Sequence, residues 1–308
     1  MANCRMNTAR KLSTSSPRSN DLNPNRSKGR INPSLFFVHK YLMDLYTDDF
    51  DRISNIPDVR IKQLFNNPRG HWYCVGNKHL HKSVDRFMRR VNGKVPVMVI
   101  YNIPNRDLGN FSKGGAEDMS EYLNFIISFC RGLKDRQAII IFEPDAIPHA
   151  IAQGEVLLTQ RINLMNAGLK IISMMCPNAI VYVDVGHPRW IDANFISKIL
   201  KRVYNYRGIS INVSNFVPDE ECVEYGNAIG KPFVIDSSRN GSKEKTEEWC
   251  NPPGRKIGRS PEMVYEGLLD GYLWIKVPGE SDGKCNGGPK AGKFWKEYAE
   301  GLLNEIEN

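Results

Sequence analysis

The chain has 308 residues, 41% of them hydrophobic and 25% charged, with a formal net charge of +8. That length suits one large α/β domain, and with no run of about 18 apolar residues no membrane-spanning helix is expected. Seven cysteines without a CxxC pair argue against a zinc centre, and no other metal or cofactor is called for.

The basic charge has an address. Residues 1–30 carry Arg5, Arg10, Lys11, Arg18, Arg26, Lys28 and Arg30 against Asp21 alone, which leaves the remaining chain near neutrality. A segment rich in Ser, Asn and Arg with few large apolar residues reads as a disordered tail, and nucleic acid is not expected as a partner of the body. The tail has no apolar stretch of the kind a secretory signal needs. Residues 31–308 read as one domain, opened by a helix in NPSLFFVHKYL.

From residue 70 onward apolar runs alternate with helical segments. The runs are 71–76, 96–101, 138–143, 180–185, 209–214, 232–237 and 272–277. Helices are expected near 80–92, 116–132, 156–175, 192–205, 219–229, 260–269 and 293–306. Continuous β-branched runs alternating with helices predict a parallel sheet covered on both faces. Polar residues follow almost every run, and no GxGxxG or Walker loop follows any. Strand ends that all carry chemistry fit a barrel, where they meet at one mouth, better than an open sheet with a single switch point. The predicted fold is a distorted, TIM-like seven-stranded β/α barrel.

The stretch AIIIFEPDAIPHA, 138–150, is the sharpest feature: a strand that reads as buried ends in Glu143 and Asp145. Buried charge is costly, so each carboxylate needs a partner or a use. Singly, Asp145 reads as a helix N-cap, Asp107 as a turn residue and Asp184 as one half of an ion pair. Together they describe a mouth lined by acids and aromatics, which suits glycoside cleavage, a reaction needing a proton donor and a proton acceptor across one sugar bond. Cys250 and Cys285 both lie in Gly/Pro-rich loops and could bridge.

The segments YNIPNRD (101–107), FEPDAI (142–147), YVDVGHPRW (182–190), NVSNF (212–216), VIDSSRNG (234–241), EWCNPPGRKIG (248–258) and LWIKVPGESDGKCNGGP (273–289) occur in order. Together they resemble glycoside hydrolase family 6, the cellulase family of endoglucanases and cellobiohydrolases, from about residue 31 to the C-terminus, and most of all its bacterial-type endoglucanase branch. The resemblance implies metal-free cleavage of β-1,4-glucan with inversion. It implies Asp145 as general acid, Asp107 as the neighbour that raises its pKa and relays a proton from water, Ser112 as the residue placing that water, and Tyr101 as the group pressing the sugar into a distorted ring. Asp282 is the family's candidate base, but Lys276 and Arg239 are expected to hold it, and a salt-bridged carboxylate is a weak base. An inverting pair leaves room for water, with carboxyls ~6.5–9.5 Å apart or further through a water chain.

By the same resemblance Trp72, Trp190 and Trp249 are sugar platforms, while Trp274 and Trp295 read as packing residues. His187, Asn212, Lys276 and Glu280 are expected to bond sugar hydroxyls, Arg239 to belong to the binding set, and Asp184 to orient its neighbours. A Cys250–Cys285 bridge is implied. Where the family usually has Cys after the NRD aspartate this chain has Leu108, so the bridge anchoring that loop is absent and a looser loop is expected. Pro148 and His149 are also unusual. Short connections, with six residues between Asp282 and Pro289, imply an open groove and endo-cleavage of cellulose or a related β-glucan by a monomer. The alternatives are a glucan-binding protein with weak turnover and an exo-acting cellobiohydrolase. Family habit implies an extracellular protein, against the lack of a visible signal.

Overall fold

The computed structural model of the chain describes residues 44–47, 59–76 and 78–303. The basic tail and the expected helix of NPSLFFVHKYL lie outside the described residues. Eight strands form one sheet in the order β1-β2-β3-β4-β5-β6-β8-β7. They are β1 (His71–Tyr73), β2 (Val97–Ile100), β3 (Ala138–Phe142), β4 (Ala179–Asp184), β5 (Gly208–Ile211), β6 (Phe233–Asp236), β7 (Glu262–Glu266) and β8 (Leu269–Leu273). The seven runs foreseen as strands all pair in parallel.

Alternation along these strands separates two packed layers. Val97, Val99, Ile139, Ile141, Tyr182, Val234 and Leu273 gather in one cluster. Their strand neighbours Met98, Ile100, Ile140, Phe142, Val183, Ile209 and Ile235 join the helices in another. Successive side chains on a strand point to opposite faces, so a continuous apolar run is what a strand covered on both sides requires. Each such side chain contributes about 1.5–3 kcal/mol by leaving water.

The helices are α1 (Val59–Phe65), α2 (Leu80–Val91), α3 (Met119–Leu133), α4 (Ala146–Ala152), α5 (Glu155–Met175), α6 (Ala193–Leu200), α7 (Asp219–Ile229) and α8 (Lys296–Leu303). Two begin on caps visible in sequence. Asp118 accepts a hydrogen bond from the Glu121 N–H at 2.8 Å, and Asp192 from the Phe195 N–H at 3.0 Å, meeting donors a helix start leaves unpaired. Helix α1 was not foreseen, nor was the short α4 ahead of α5.

One expected helix is wrong. Residues 260–269 form β7 and the turn of a hairpin, with β7 antiparallel to β8. The left-handed Gly267 (φ 60°) permits the tight turn, and Gly271 lies opposite Met263, where a side chain would strike the Glu262 carbonyl. The last run also begins earlier than foreseen, because the ladder uses 269–273 while 274–277 run on past it. That continuation meets the start of β1, where the Gly70 N–H donates to Trp274 O at 2.7 Å. The barrel is distorted accordingly: seven parallel strands, an antiparallel edge, and a seam bridged by that bond.

Candidate active site

The loops at the C-terminal ends of the parallel strands surround a cleft of about 730 Å³. Its walls carry Trp72, Tyr101, Asp107, Ser112, Asp145, His187, Trp190, Trp249, Lys276, Glu280 and Asp282. Asp184, Asn212 and Arg239 stand behind it with no exposed surface.

The two carboxylates after β3 part company at once. Glu143 turns inward, fully buried, and accepts hydrogen bonds from the Asn102 N–H at 3.1 and 3.2 Å and the Ile103 N–H at 3.0 Å. Burial pushes its carboxyl up to about 7 against those donors. It therefore fastens the end of β3 to the loop that follows β2, the loop bearing Asp107. Asp145 turns outward into the cleft. Both residues adopt left-handed backbone, with φ 49° for Glu143 and 65° for Asp145, as do Asp107 (56°) and Leu108 (46°). Non-glycine residues rarely hold that conformation unless the surroundings fix it, and such strain gathers at functional sites.

Asp145 occupies the N-cap position of α4 without capping it through its side chain. Its N–H donates to Asp184 Oδ1 at 2.9 Å. Asp184 also accepts from the Gly186 N–H at 3.1 Å and the Ser210 hydroxyl at 3.2 Å. Burial first, then Asp184 and Asp107, push the Asp145 carboxyl well above the ordinary carboxylate range. Burial raises Asp184 as well, but its three donors favour the ionised form. The Asp145 carboxylate accepts no hydrogen bond among the described residues, so of the two it is the one whose protonated form the surroundings favour.

Asp107 is almost buried, and burial raises its carboxyl against the Ser112 N–H, which donates to Oδ2 at 2.6 Å, and the charge of His149. The loop after Asp107, where the sequence places Leu108 and no bridging cysteine, is held by Arg106. Its guanidinium donates to Ser112 O at 2.8 Å, Tyr101 O at 2.6 Å and Cys74 O, and lies 4.9 Å from the Tyr101 ring centre. Phe111 packs on Gly283, where any Cβ would collide with its ring, and sits 5.9 Å from Trp249.

Asp282 is clamped. Arg239 donates to Oδ2 at 2.8 Å, Lys276 lies 3.1 Å from Oδ1, and the Asn251 N–H adds a bond at 3.1 Å. Burial works against the charge, but Arg239 and Lys276 hold the carboxyl below its usual range. Its ionised form is stabilised where it stands, which fits an anchor better than a proton acceptor. Cys250 and Cys285 are bridged, joining the loops that carry Trp249 and Asp282.

Two expectations need correction. Asn212 does not reach the cleft: its amide donates to Val217 O and Asp236 O at 3.2 and 2.9 Å, and its Oδ1 accepts from the Val217 N–H at 3.0 Å. Arg239 is consumed by Asp282 and Ser214 O and lies against Phe216 at 4.4 Å. Both follow strand ends yet point into neighbouring loops.

The aromatic residues divide as well. Trp190 and Trp249 line the cleft and are 37% and 48% exposed. Trp72 ties its indole N–H to Ile275 O at 2.9 Å and meets Tyr101 edge-on at 5.5 Å. Trp274 is buried and donates to Arg259 O, whereas Trp295 is half-buried and stacked on Tyr298 beside a smaller cavity of about 480 Å³. His187 has its Nδ1 unpartnered among the described residues, and burial lowers the imidazole to about 4, leaving it neutral near pH 7. Glu143, Arg106, Phe111 and His149 were not foreseen as site residues; the left-handed backbone that accompanies Glu143 is invisible in sequence. Among the described residues no cluster of three or more His, Cys, Asp or Glu could hold a metal.

A protonated carboxyl, a second acid beside it and flat aromatic faces can together protonate a leaving oxygen, receive a proton from water and seat sugar rings. The family model "Glycosyl hydrolases family 6" matches residues 45–306. The chain is 38% identical to "Endoglucanase A" of Cellulomonas fimi over 256 residues, 78% of this chain and 54% of that protein. It therefore spans about half the length of that relative. It is 36% identical to "Endoglucanase 1" of Streptomyces halstedii, covering 77% of this chain and 78% of the other. The solved structure of the endoglucanase Cel6 from Mycobacterium tuberculosis, in complex with a methyl-cellobiosyl-thio-cellobioside, superposes with a TM-score of 0.77 at 35% identity, covering 85% of this chain and 96% of that one.

Proposed function

This chain belongs to glycoside hydrolase family 6, and from that premise we propose that it is an inverting endo-β-1,4-glucanase acting on cellulose or a related β-glucan. The observation that carries the reading is the placement of Asp145 and Asp107 together in the cleft wall, where burial, Asp184 and Asp107 push the Asp145 carboxyl well above the ordinary carboxylate range.

In this mechanism Asp145 gives its proton to the glycosidic oxygen as the bond to the anomeric carbon breaks. Water adds to the opposite face of the sugar, and its proton passes to Asp107. Ser112, whose N–H orients the Asp107 carboxylate, places that water with its hydroxyl. Asp282 stays ionised, fixing Lys276 and the loop of Trp249, and its clamped charge makes it a poor base. Tyr101 and Trp72 crowd the reacting ring, while Trp190, Trp249 and Phe111 offer apolar faces to the glucose units on either side. His187 and Glu280 reach hydroxyls along the groove. The short loops around Asp282 leave the groove unroofed, which lets a chain enter mid-length and favours endo-cleavage over release from chain ends.

The Cys250–Cys285 bridge suits an oxidising, extracellular setting, and we place the enzyme there as a monomer. Reducing-end release and viscosity loss on carboxymethylcellulose, with product anomers followed by NMR, test the whole reading. The wild type is expected to liberate α-anomers from internal bonds, and Asp145→Ala to lose at least about 10³-fold in kcat, in line with the loss of a general acid. Binding to the polymer without release would instead favour a glucan-binding protein, and release of cellobiose without viscosity loss an exo-acting enzyme.

A further inference from the structure

His149 lies one helical turn beyond Asp145 on α4, and α4 packs against the turn Asp107–Gly109. The His149 backbone N–H donates to Asp145 O at 2.9 Å, which sets the two residues one turn apart at the start of α4. His149 lines the cleft together with Asp107, Asp145 and Trp190. Its ring meets Trp190 edge-on with centroids 5.2 Å apart, and His187 approaches Trp190 at 5.6 Å. A half-buried histidine at this place needs an explanation, because burial alone favours its neutral form.

The charges around it supply one. Burial is the larger influence and draws the imidazole below its ordinary 6.5; Asp107, from the loop after β2, opposes it by favouring the imidazolium, whereas Arg161 of α5 adds to the lowering. In return His149 favours the ionised form of Asp107. Asp145 lines the same cleft, and His187, neutral near pH 7, also approaches the Trp190 ring. Arg106 lowers Asp107 in the same sense, but its guanidinium is committed to three backbone carbonyls.

We propose that His149 is a positioning residue for this hydrolysis: its imidazole, packed on Trp190 and sharing the cleft wall with Asp107, is the cation that keeps Asp107 ionised as the medium turns acidic. The proposal rests on the glucanase reading for its consequence but not for its existence. An ionised Asp107 can receive the proton of the attacking water; a protonated one cannot. Burial draws the imidazole down from its ordinary 6.5 and the Asp107 carboxyl up from its ordinary 3.8, so the two titrations approach one another and the pair extends activity toward lower pH.

Two measurements test it. Imidazole carbon shifts of His149, assigned by the peak missing in His149→Gln, are followed by NMR against pH in the wild type and in Asp107→Asn. The His149 midpoint is expected to fall by about half a unit or more without the carboxylate, the low end of what a nearby opposite charge does. An unmoved midpoint overturns the proposal, whatever the protein hydrolyses. In the second, kcat/KM on a soluble cello-oligosaccharide is profiled against pH for wild type and His149→Gln. The acidic limb is expected to move up by about half a unit or more, and a uniform drop with an unmoved limb would mean packing alone and refute the charge role. His149→Asn serves if the glutamine variant does not fold. A wild type inactive on every glucan would sink the glucanase reading while leaving the NMR result to decide the pair.

Discussion

Asp184 accepts three hydrogen bonds and Asp145 accepts none among the described residues, so the shared electrostatic burden falls unequally. After burial itself, Asp184 is thus the neighbour that raises the Asp145 carboxyl most. Asp184→Asn removes that charge while keeping the shape. The Asp145 carboxyl is then expected to titrate about one unit lower, and since the acid must be protonated to work, the basic limb of the activity profile moves toward acid. A pH–rate profile showing an unmoved basic limb would contradict this. That Asp145 and Asp107 would line the mouth was legible, because carboxylates at strand ends are too costly to be idle. The positions of Asn212 and Arg239 were not. Sequence tells which end of a barrel a residue occupies, but whether its side chain points to the cleft or back into a loop depends on left-handed turns such as those at Asn212 (φ 69°) and Ser214 (φ 59°).

The elements of the barrel are joined at their upper ends by carboxylates used as backbone clamps. Glu143 binds the loop after β2 to β3, and Asp236 accepts from the N–H groups of Ser214, Ser238, Ile275 and Lys276, gathering the ends of β5, β6 and β8. Glu143→Gln sets an amide nitrogen among backbone donors, which leaves at least one N–H without an acceptor. A loss of about 1–3 kcal/mol is expected in urea unfolding, with kcat falling more than KM changes because the Asp107 loop is displaced from Asp145. Equal stability and unchanged kcat would show that the clamp is dispensable. Strand existence was readable from apolar runs, and α7 was readable to its ends. The β7–β8 hairpin was not: its apolar residues suit either period, and the turn at Gly267 decides the matter through tertiary pairing with β6.

Across the molecule, carboxyls with raised pKa outnumber lowered ones at the core of the mouth. Glu143, Asp145, Asp184 and Asp236 are all raised with burial as the first cause, whereas Asp282 is lowered by Arg239 and Lys276 against burial. A raised acid holds its proton in the folded state over a range where the unfolded chain has released it. Folding then binds protons, and stability falls as pH rises from the unfolded pKa through the folded one. For Glu143 that window runs from the ordinary 4.5 to about 7, and a shift of that size corresponds to on the order of 3 kcal/mol. Asp282 acts oppositely, but its contribution is lost only as pH drops below the ordinary carboxylate range, outside this window. The fold is therefore expected to be most stable in mild acid, with a urea midpoint higher at pH 5 than at pH 8, and Glu143→Gln is expected to flatten part of that slope. A midpoint that rises between pH 5 and pH 8 would mean the buried carboxyls fold in their ionised form, with their backbone donors outweighing burial.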